Sequence, residues 1–215
     1  VQNANEPPFT STLPPRVDSA EVPGYMTPRA PAKSAYMFRP QRSIEMLEGD
    51  SSITFAELQA YKNDTRMLAA DRLLDDLLPA ARASDRERAR RAADVLAEWD
   101  RTADAASQGS VLFARWLRAM VGGAEAPFAT PYRPSAPRTT PDGLADPEAA
   151  VQALAEAART VETRHDSLDV PWGAVHRLVG PAGSHPASGG GGLFGLFRVL
   201  RFGEMDEGRR RATFG

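Results

Sequence analysis

The residues best suited to chemistry in this 215-residue chain are two asparagines near its start, Asn3 and Asn5, which precede Glu6-Pro7-Pro8. The two prolines restrict the backbone, so Asn5 presents its carboxamide N–H at the end of an extended segment. A fixed donor of this kind suits the stabilisation of a developing oxyanion. Asparagine close to proline also forms turns that have no chemical role. The pattern makes Asn5 a candidate oxyanion donor, with a simple turn as the alternative.

Three carboxylates, Asp71, Asp75 and Asp76, lie close together in a leucine-rich stretch. Paired carboxylates can perform general acid–base catalysis. Here, however, Arg66 and Arg72 flank them, which is typical of a solvated helix face with ion pairs. The solvated face is the favoured interpretation. The arginine- and glutamate-rich run at 82–91 is interpreted in the same way.

Other familiar catalytic or binding patterns are weak. The histidines His165, His176 and His185 fall in separate segments without metal-ligand spacing, so they do not predict a zinc site. The glycine run at 188–192 lacks the Gly-Lys-Ser/Thr ending of a phosphate-binding loop, and we predict a flexible turn between strands. The chain contains neither a Ser-His-Asp pattern nor a Gly-x-Ser-x-Gly pattern. No residue of this chain is therefore predicted to be a nucleophile.

Composition excludes several further classes. The formal net charge is −2 and 25% of the residues are charged, which argues against a nucleic-acid partner because no broad basic face is implied. There are no cysteines, so disulfides, thiolate metal sites and cysteine nucleophiles are ruled out. No run of about 18 apolar residues predicts a membrane span. The chain starts at Val1 without a signal-peptide pattern, and we expect it to be a fragment of a longer protein.

The middle of the chain is predicted to be helical, and its helices must position any site. Thr54 with Glu57, and Ser84 with Glu87, each match the spacing of a helix capping box. One helix is predicted to begin near Thr65 and to end at Pro79. The apolar stripes of this helix and the next contain Met67, Ala70, Leu74, Leu77 and Leu78, then Ala89, Ala92, Val95, Leu96 and Trp99.

Two further helices follow. A buried helix is predicted at 111–121, stopped by Gly122-Gly123. Asp146-Pro147-Glu148 signals another helix start, with aspartate as the N-cap and proline in the first turn. Its predicted buried stripe is Val151, Leu154, Ala155, Ala158 and Val161.

The remaining segments are irregular. Residues 1–40 are proline-rich and are predicted to run along a surface or an active-site wall, while 122–145 is predicted to be a loop. The apolar run Leu193 to Phe202 is predicted to be a strand. We divide the chain into a proline-rich segment at 1–50, a helical region at 51–166 and a strand and loop segment at 167–215, all within one incomplete domain.

Several stretches, taken in order, resemble the β-chain of the penicillin-acylase family. They are Val-Gln-Asn-Ala-Asn-Glu-Pro-Pro-Phe at 1–9, Phe-Arg-Pro-Gln-Arg-Ser-Ile-Glu-Met-Leu at 38–47, Ile-Thr-Phe-Ala-Glu-Leu at 53–58, the run from Tyr61 to Leu78, and Pro-Ala-Ser-Gly-Gly at 186–190 with Leu-Phe-Gly-Leu-Phe-Arg-Val at 193–199. The branch that the chain resembles most contains bacterial acylases of fatty-acyl amides, including N-acyl homoserine lactones.

The resemblance implies an N-terminal nucleophile hydrolase whose precursor cuts itself into α- and β-chains. The catalytic serine would lie upstream of Val1, so the fragment alone would be inactive. The second asparagine of the family's Asn-x-Asn motif, which donates to the oxyanion, corresponds to Asn5. A family arginine near the nucleophile, which helps to orient that asparagine, corresponds to Arg42. Both are candidate catalytic residues, whereas Asn3 is expected to be structural.

The resemblance also implies a fold, a compartment and partners. The fragment is expected to be mainly α-helical with short terminal strands, and the intact protein to be a four-layer α/β/β/α sandwich of the α+β class. We expect a periplasmic or secreted amidase that binds a small acyl amide and assembles with the rest of its β-chain and with its α-chain. No cofactor is expected within this stretch. The resemblance leaves open whether the intact enzyme binds calcium. The alternative is a non-enzymatic helical module whose proline-rich arm binds a protein partner.

Overall fold

The computed structural model describes residues 7–10, 12–23, 38–122, 127–204 and 210–213. Helices dominate this part of the chain, as the sequence predicts. In chain order they are α1 (Phe38–Glu48), α2 (Phe55–Lys62), α3 (Leu68–Ala83), α4 (Glu87–Glu98), α5 (Ser110–Val121), α6 (Pro147–His165) and α7 (Trp172–Val175). Short 3-10 turns lie at Pro8–Thr10 and Gly192–Phe194.

Helices α3 to α6, which we call the bundle, hold most of the core. The long helix α6 contacts α3, α4 and α5, and buries a stripe of alanine, valine and leucine against them. Its start is the predicted one, because the Asp146 side chain accepts a hydrogen bond from the Ala149 N–H at 2.9 Å. Trp116 of α5 is fully buried and its indole N–H donates to the carbonyl of Ala150 on α6 at 3.0 Å. The predicted apolar stripes therefore face one shared core.

Two small sheets complete the described structure. Strands β1 (Phe128–Thr130) and β2 (Asp142–Leu144) form an antiparallel pair beside α3. The second sheet has the order β4-β3-β6-β5, with β3 at His176–Gly180, β4 at Gly183–Pro186, β5 at Arg201–Glu204 and β6 at Arg210–Thr213. Its β3–β6 pair is parallel, whereas β3–β4 and β5–β6 are antiparallel.

Two predicted helix boundaries are wrong. Helix α3 continues through Pro79 to Ala83, because Pro79 lies on an exposed side of the helix. There the carbonyl of Asp75, four residues earlier, loses its helical donor but belongs to an exposed residue that water can reach. Ser84 ends α3 instead of capping α4, and its hydroxyl accepts the Arg86 N–H at 3.1 Å. Glu87 is the first residue of α4, so it is not at the third position that a capping box requires.

The irregular segments also differ from expectation. The predicted loop at 122–145 contains β1 and β2, which are too short to be recognised by alternation. The predicted strand Leu193 to Phe202 begins as the 3-10 turn Gly192–Phe194 and becomes a strand only at Arg201, where β5 pairs with β6. Strand β5 is therefore paired with β6 along one side and forms the edge of the sheet. The expected strand at residues 1–5 lies outside the described residues.

The glycine run is packed and is not a flexible turn. Gly189 and Gly190 are buried, and the Gly189 carbonyl accepts the indole N–H of Trp172 at 2.9 Å. Gly189 has a φ of +98°, and a Cβ atom there would lie 2.6 Å from the carbonyl oxygen of Arg198. Only glycine permits this close approach of two backbone segments.

Candidate functional site

Helix α1 carries Arg42, and its buried side fixes the helix against the rest of the molecule. Phe38 is buried and contacts Phe128 edge to face, with ring centroids 5.6 Å apart. Gly195, in the left-handed region with a φ of +83°, lies so close to α1 that a Cβ atom there would be 2.6 Å from the Cβ of Phe38. The backbone at Gly195 therefore holds the first turn of α1 in place.

Gln41, the residue before Arg42, anchors the same helix through its side chain. Its amide donates to the carbonyl of Thr140 at 2.9 Å and accepts from the Arg72 guanidinium at 3.0 Å. Gln41 is 5% exposed, so these bonds satisfy polar atoms that water does not reach. They join α1 to α3 and to the segment before β2.

The Arg42 guanidinium forms a bidentate ion pair with Asp64. Its Nε lies 2.8 Å from Oδ1 of Asp64 and its Nη2 lies 2.8 Å from Oδ2. Glu45, one helical turn further on, approaches Nη1 at 3.4 Å. The side chains of Arg42 and Asp64 are 23% and 16% exposed, so the pair is mostly withdrawn from water. This fork geometry fixes the plane of the guanidinium.

Asp64 is itself held by the backbone around it. It lies between α2 and α3, its N–H donates to the carbonyl of Tyr61 at 3.2 Å, and its own carbonyl accepts the N–H of Arg198 at 2.8 Å. The hydrogen bond to Asp64 raises the pKa of Arg42 above its ordinary value, against the lowering effect of partial burial. Arg42 is therefore a permanent cation whose charge a neighbouring carboxylate compensates.

Further cations lie on the same side of the molecule. The Arg39 guanidinium lies 5.4 Å and the Lys62 ammonium 6.0 Å from the centre of the Phe197 ring. Such distances are typical of cation–π contacts. Phe197 belongs to the segment that contributes the Arg198 N–H to Asp64, so α1, the α2–α3 corner and this segment meet around Arg42.

The segment after Asn5 is anchored, although Asn3 and Asn5 themselves lie outside the described residues. Phe9 is buried, and both the N–H and the hydroxyl of Thr10 donate to the carbonyl of Pro7, at 3.0 Å and 2.7 Å. The described structure thus begins at Pro7, two residues after Asn5, and continues into the 3-10 turn Pro8–Thr10. The position of the Asn5 carboxamide relative to Arg42 remains a prediction.

Of the other residues that the sequence singled out, Asp71, Asp76 and His176 have structural partners. Asp71 forms ion pairs with Arg66 and Arg101, and Asp76 accepts the backbone N–H of Leu144 at 3.0 Å. His176 is buried and stacks on Trp172 with ring centroids 3.5 Å apart. Among the residues that the structure describes, no group of three or more histidine, aspartate or glutamate side chains is arranged to hold a metal ion.

Sequence reasoning missed Asp64 as a partner of Arg42. The two residues are 22 positions apart on different elements, and no local periodicity relates them. The available signal was that both lie in the stretches on which the family resemblance rests, 38–47 and 61–78.

Comparison with known proteins gives two findings. The penicillin amidase family model matches residues 1–205. An acyl-homoserine lactone acylase of Pseudomonas putida, PvdQ, is 24% identical over 221 aligned residues, which cover 100% of this chain and 27% of that protein. The chain therefore spans about a quarter of the length of this curated relative.

Proposed function

The chain belongs to the penicillin amidase family, and we propose that it is a β-chain segment of an acylase that hydrolyses the amide bond of an acyl amide. The observation that carries the proposal is the family match over 1–205, which includes both Asn5 and Arg42. The name of the Pseudomonas relative makes N-acyl homoserine lactones the first substrates to test. Penicillins and lipopeptides are the other candidates.

In this proposal the nucleophile is an N-terminal serine upstream of Val1, created when the precursor cleaves itself. The serine hydroxyl attacks the amide carbonyl while the α-amine of the same residue takes the proton. The carbonyl oxygen becomes negative, and the Asn5 carboxamide N–H donates to it. The C–N bond then breaks and the amine leaves with a proton. Water hydrolyses the resulting ester and releases the acid.

Arg42 acts in this scheme as an oriented donor beside the nucleophile. A free cation near the α-amine would lower the pKa of that amine and favour its basic form. The ion pair with Asp64, at 2.8 Å, compensates part of the Arg42 charge. The effect of Arg42 on the pKa of the amine therefore depends on Asp64. Its ability to orient neighbouring groups depends on the bidentate ion pair, which fixes the plane of the guanidinium.

The family also suggests the setting of the enzyme. We propose a periplasmic or secreted protein in which this chain packs with the remaining β-chain and with the α-chain. The chain forms one incomplete domain, and its proline-rich segment 1–50 extends along the active site. Among the described residues, no helix has the length and apolar character to cross a membrane. Calcium in the intact enzyme would bind outside this stretch.

The test is an amide hydrolysis assay on the full-length, self-processed protein. We expect release of a primary amine from N-acyl homoserine lactones, measured over several acyl chain lengths beside penicillins. Asn5→Ala should lower the rate of amine release. Asn3→Ala is its matched control, because the two asparagines lie in the same motif. A correctly processed protein that releases no amine from any of these amides above the buffer rate contradicts the proposal. The non-enzymatic interaction module would then be the better explanation.

A further inference from the structure

The start of α2 carries apolar side chains that the described structure leaves open to water. Five large apolar side chains are exposed in the part of the chain that the structure describes, and three of them, Ile53, Phe55 and Leu58, lie within six residues. Ile53 is 44% exposed, and the other two are more than half exposed. Single exposed apolar residues are ordinary on a protein surface, whereas a cluster of them marks a site of contact. We call these three side chains the α2 patch.

Sequence spacing gives two members of the patch a local role. Thr54 is the N-cap of α2, so Ile53 precedes the cap and Leu58 is the fourth residue of the helix. This is the spacing of a hydrophobic staple, in which the two side chains pack against each other at the helix start. Phe55 is not part of that spacing and is the most exposed of the three. It lies three positions before Leu58, so both side chains share one side of α2 and can enter one groove together.

Local polar contacts hold α2 in shape although it is exposed. A complete capping box closes its start. After its last turn, the Asn63 side-chain amide donates to the carbonyl of Gln59 at 2.8 Å. The Tyr61 hydroxyl donates to the Asp50 carboxylate at 2.9 Å and ties the helix to the turn before it. The patch is thus already arranged for contact, and docking would require little further ordering of the backbone.

The size of the patch decides between possible occupants. Three side chains of this kind offer on the order of 300 Å² of apolar surface. Each partner of a stable interface between separate proteins contributes about 800 Å². A second copy of the chain or an independent protein would therefore need contacts well beyond the patch. A segment of the same precursor needs fewer, because the connecting chain raises its effective concentration. Such segments exist in the aligned acylase of Pseudomonas putida, since this chain covers only 27% of its length.

We propose that Phe55 and Leu58 dock into an apolar groove formed by a segment of the same precursor that lies outside residues 1–215. Phe55 is the anchor in this groove, and Ile53 covers its rim beside Leu58. The inference rests on the proposed function in one respect, that this chain is a segment of a longer acylase, and it does not require hydrolysis. It identifies the face through which the helical region joins the rest of the enzyme.

Thiol labelling tests whether the patch is covered. The chain has no cysteine, so one introduced here is the only thiol between residues 1 and 215, and the unsubstituted protein gives the background from thiols elsewhere. In the full-length, self-processed protein, Leu58→Cys should react with a maleimide about tenfold or more slowly than it does in denaturant, because the thiol is reached only when the contact opens. Ala60→Cys is the matched control, since Ala60 is exposed and lies on the opposite side of α2. Its labelling should slow by less than about threefold.

Photocross-linking identifies the occupant. Benzoylphenylalanine replaces Phe55 in the same full-length protein, because it keeps an aromatic ring at the proposed anchor. We expect its main cross-linked peptide, identified by mass spectrometry, to come from the same molecule and from outside residues 1–215. The yield should not change with protein concentration. The same photoreactive residue in place of Ala60 should not give that peptide.

Three results overturn the docking. They are equal slowing of Leu58→Cys and Ala60→Cys, a main cross-link to a second copy or to residues within 1–215, and the absence of any cross-link to protein. If Leu58→Cys does not fold, Phe55→Cys takes its place in the labelling experiment.

Neither readout depends on hydrolysis, so the failures of the two proposals can be told apart. A processed protein that hydrolyses no acyl amide but protects Leu58→Cys and gives the expected cross-link refutes the proposed function and leaves the docking standing. An active enzyme in which Leu58→Cys reacts as freely as in denaturant refutes the docking and leaves the function standing.

Discussion

The bundle of α3 to α6 and the Arg42 face, which we define as α1 with Asp64 and the segment at 197–198, are built from different contacts. The bundle buries apolar side chains from four helices, and its inter-helix ion pairs, such as those of Arg88 and Arg91 with Glu162, involve arginine side chains that are about half exposed. The Arg42 face instead withdraws a charged pair and an amide side chain from water and connects elements distant in sequence. Withdrawing such groups costs free energy unless they are well paired. The difference teaches that stability is concentrated in the bundle and that the Arg42 face is organised around polar geometry.

The largest effect is expected from Trp116→Ala, which tests the bundle. This change removes a fully buried indole and leaves the Ala150 carbonyl without its donor. We expect a loss of about 3–5 kcal/mol in the free energy of unfolding of the full-length protein. Denaturant unfolding followed by circular dichroism measures it. Because Trp116 belongs to α5, which is not part of the Arg42 face, the kcat of the folded fraction should stay within about twofold of wild type. A stable variant with reduced kcat would break the comparison.

Asn5→Ala should show the opposite behaviour. Losing one oxyanion donor costs about two to three orders of magnitude in kcat, or roughly 3–4 kcal/mol of transition-state stabilisation. The loss should appear in kcat more than in substrate affinity, because the hydrogen bond strengthens as charge develops. Asn5→Asp should be at least as harmful, since it places a negative charge near the oxyanion. Each variant must first be checked for a processed β-chain by mass spectrometry.

The contrary result for Asn5 is specific. If Asn5 only shapes the turn before Pro7, its alanine variant will keep kcat within tenfold of wild type and lose thermal stability. Asn3→Ala would then behave in the same way. Such a pair of results would assign Asn5 to the structural part of the molecule.

The third prediction uses the pH dependence of kcat/KM to sharpen the role of the Arg42–Asp64 pair. Arg42→Ala leaves Asp64 and Glu45 uncompensated, and nearby negative charge raises the pKa of the nucleophile's amine. The amine must be neutral to act, so the acid limb should move to higher pH by roughly half a unit to one unit. Asp64→Asn leaves Arg42 less compensated and should move the limb to lower pH. Both should also lower kcat, by about tenfold to a hundredfold, through lost orientation.

The bundle offers a matched control pair. Arg66 binds Asp71 with the same fork, at 3.0 Å and 2.6 Å, at the start of α3. Arg66→Ala and Asp71→Asn should leave the acid limb where it is. The argument is wrong if Arg42→Ala and Asp64→Asn move the acid limb in the same direction, or only as far as the control variants do. The charges of the pair would then not set the pKa of the amine.

The smallest effect concerns the predicted capping boxes. In α2 the Thr54 hydroxyl accepts the Glu57 N–H at 3.3 Å, and Glu57 accepts the Thr54 N–H at 2.8 Å. Thr54→Ala should cost about 1 kcal/mol of helix stability. Ser84→Ala should cost less than about half as much, because Ser84 caps no helix start. Equal losses in the two variants, measured by thermal unfolding, would contradict this assignment of caps.

Sequence alone predicts the bundle well because its information is local. The stripe of Val151, Leu154 and Ala158 and the cap at Asp146 each act within a few residues, so periodicity identifies them. The end of α3 and the start of α4 were predicted less well, since the exposure of Pro79 depends on tertiary packing. The packed glycines at 189 and 190 were mistaken for a flexible turn for the same reason. What makes them necessary is the closeness of Trp172 and Arg198, which composition does not reveal.

The Arg42 face was predictable only in part. The family resemblance identified Arg42, and the structure adds that Asp64 holds it, a contact between residues 22 positions apart. Sites that depend on contacts between residues distant in sequence are thus the ones that a single sequence predicts least well.

Helix α2 has a consequence for hydrogen exchange. It buries none of its residues among the described contacts, and Phe55 and Leu58 are 74% and 53% exposed. With its cap as the main support, its amide protons should exchange through local opening, while those of α3 exchange only when the bundle unfolds. Protection of the α2 amides in the full-length protein would therefore report directly on whether other chain segments cover this helix. The amide exchange rate of this one short helix therefore measures whether the rest of the protein has assembled around it.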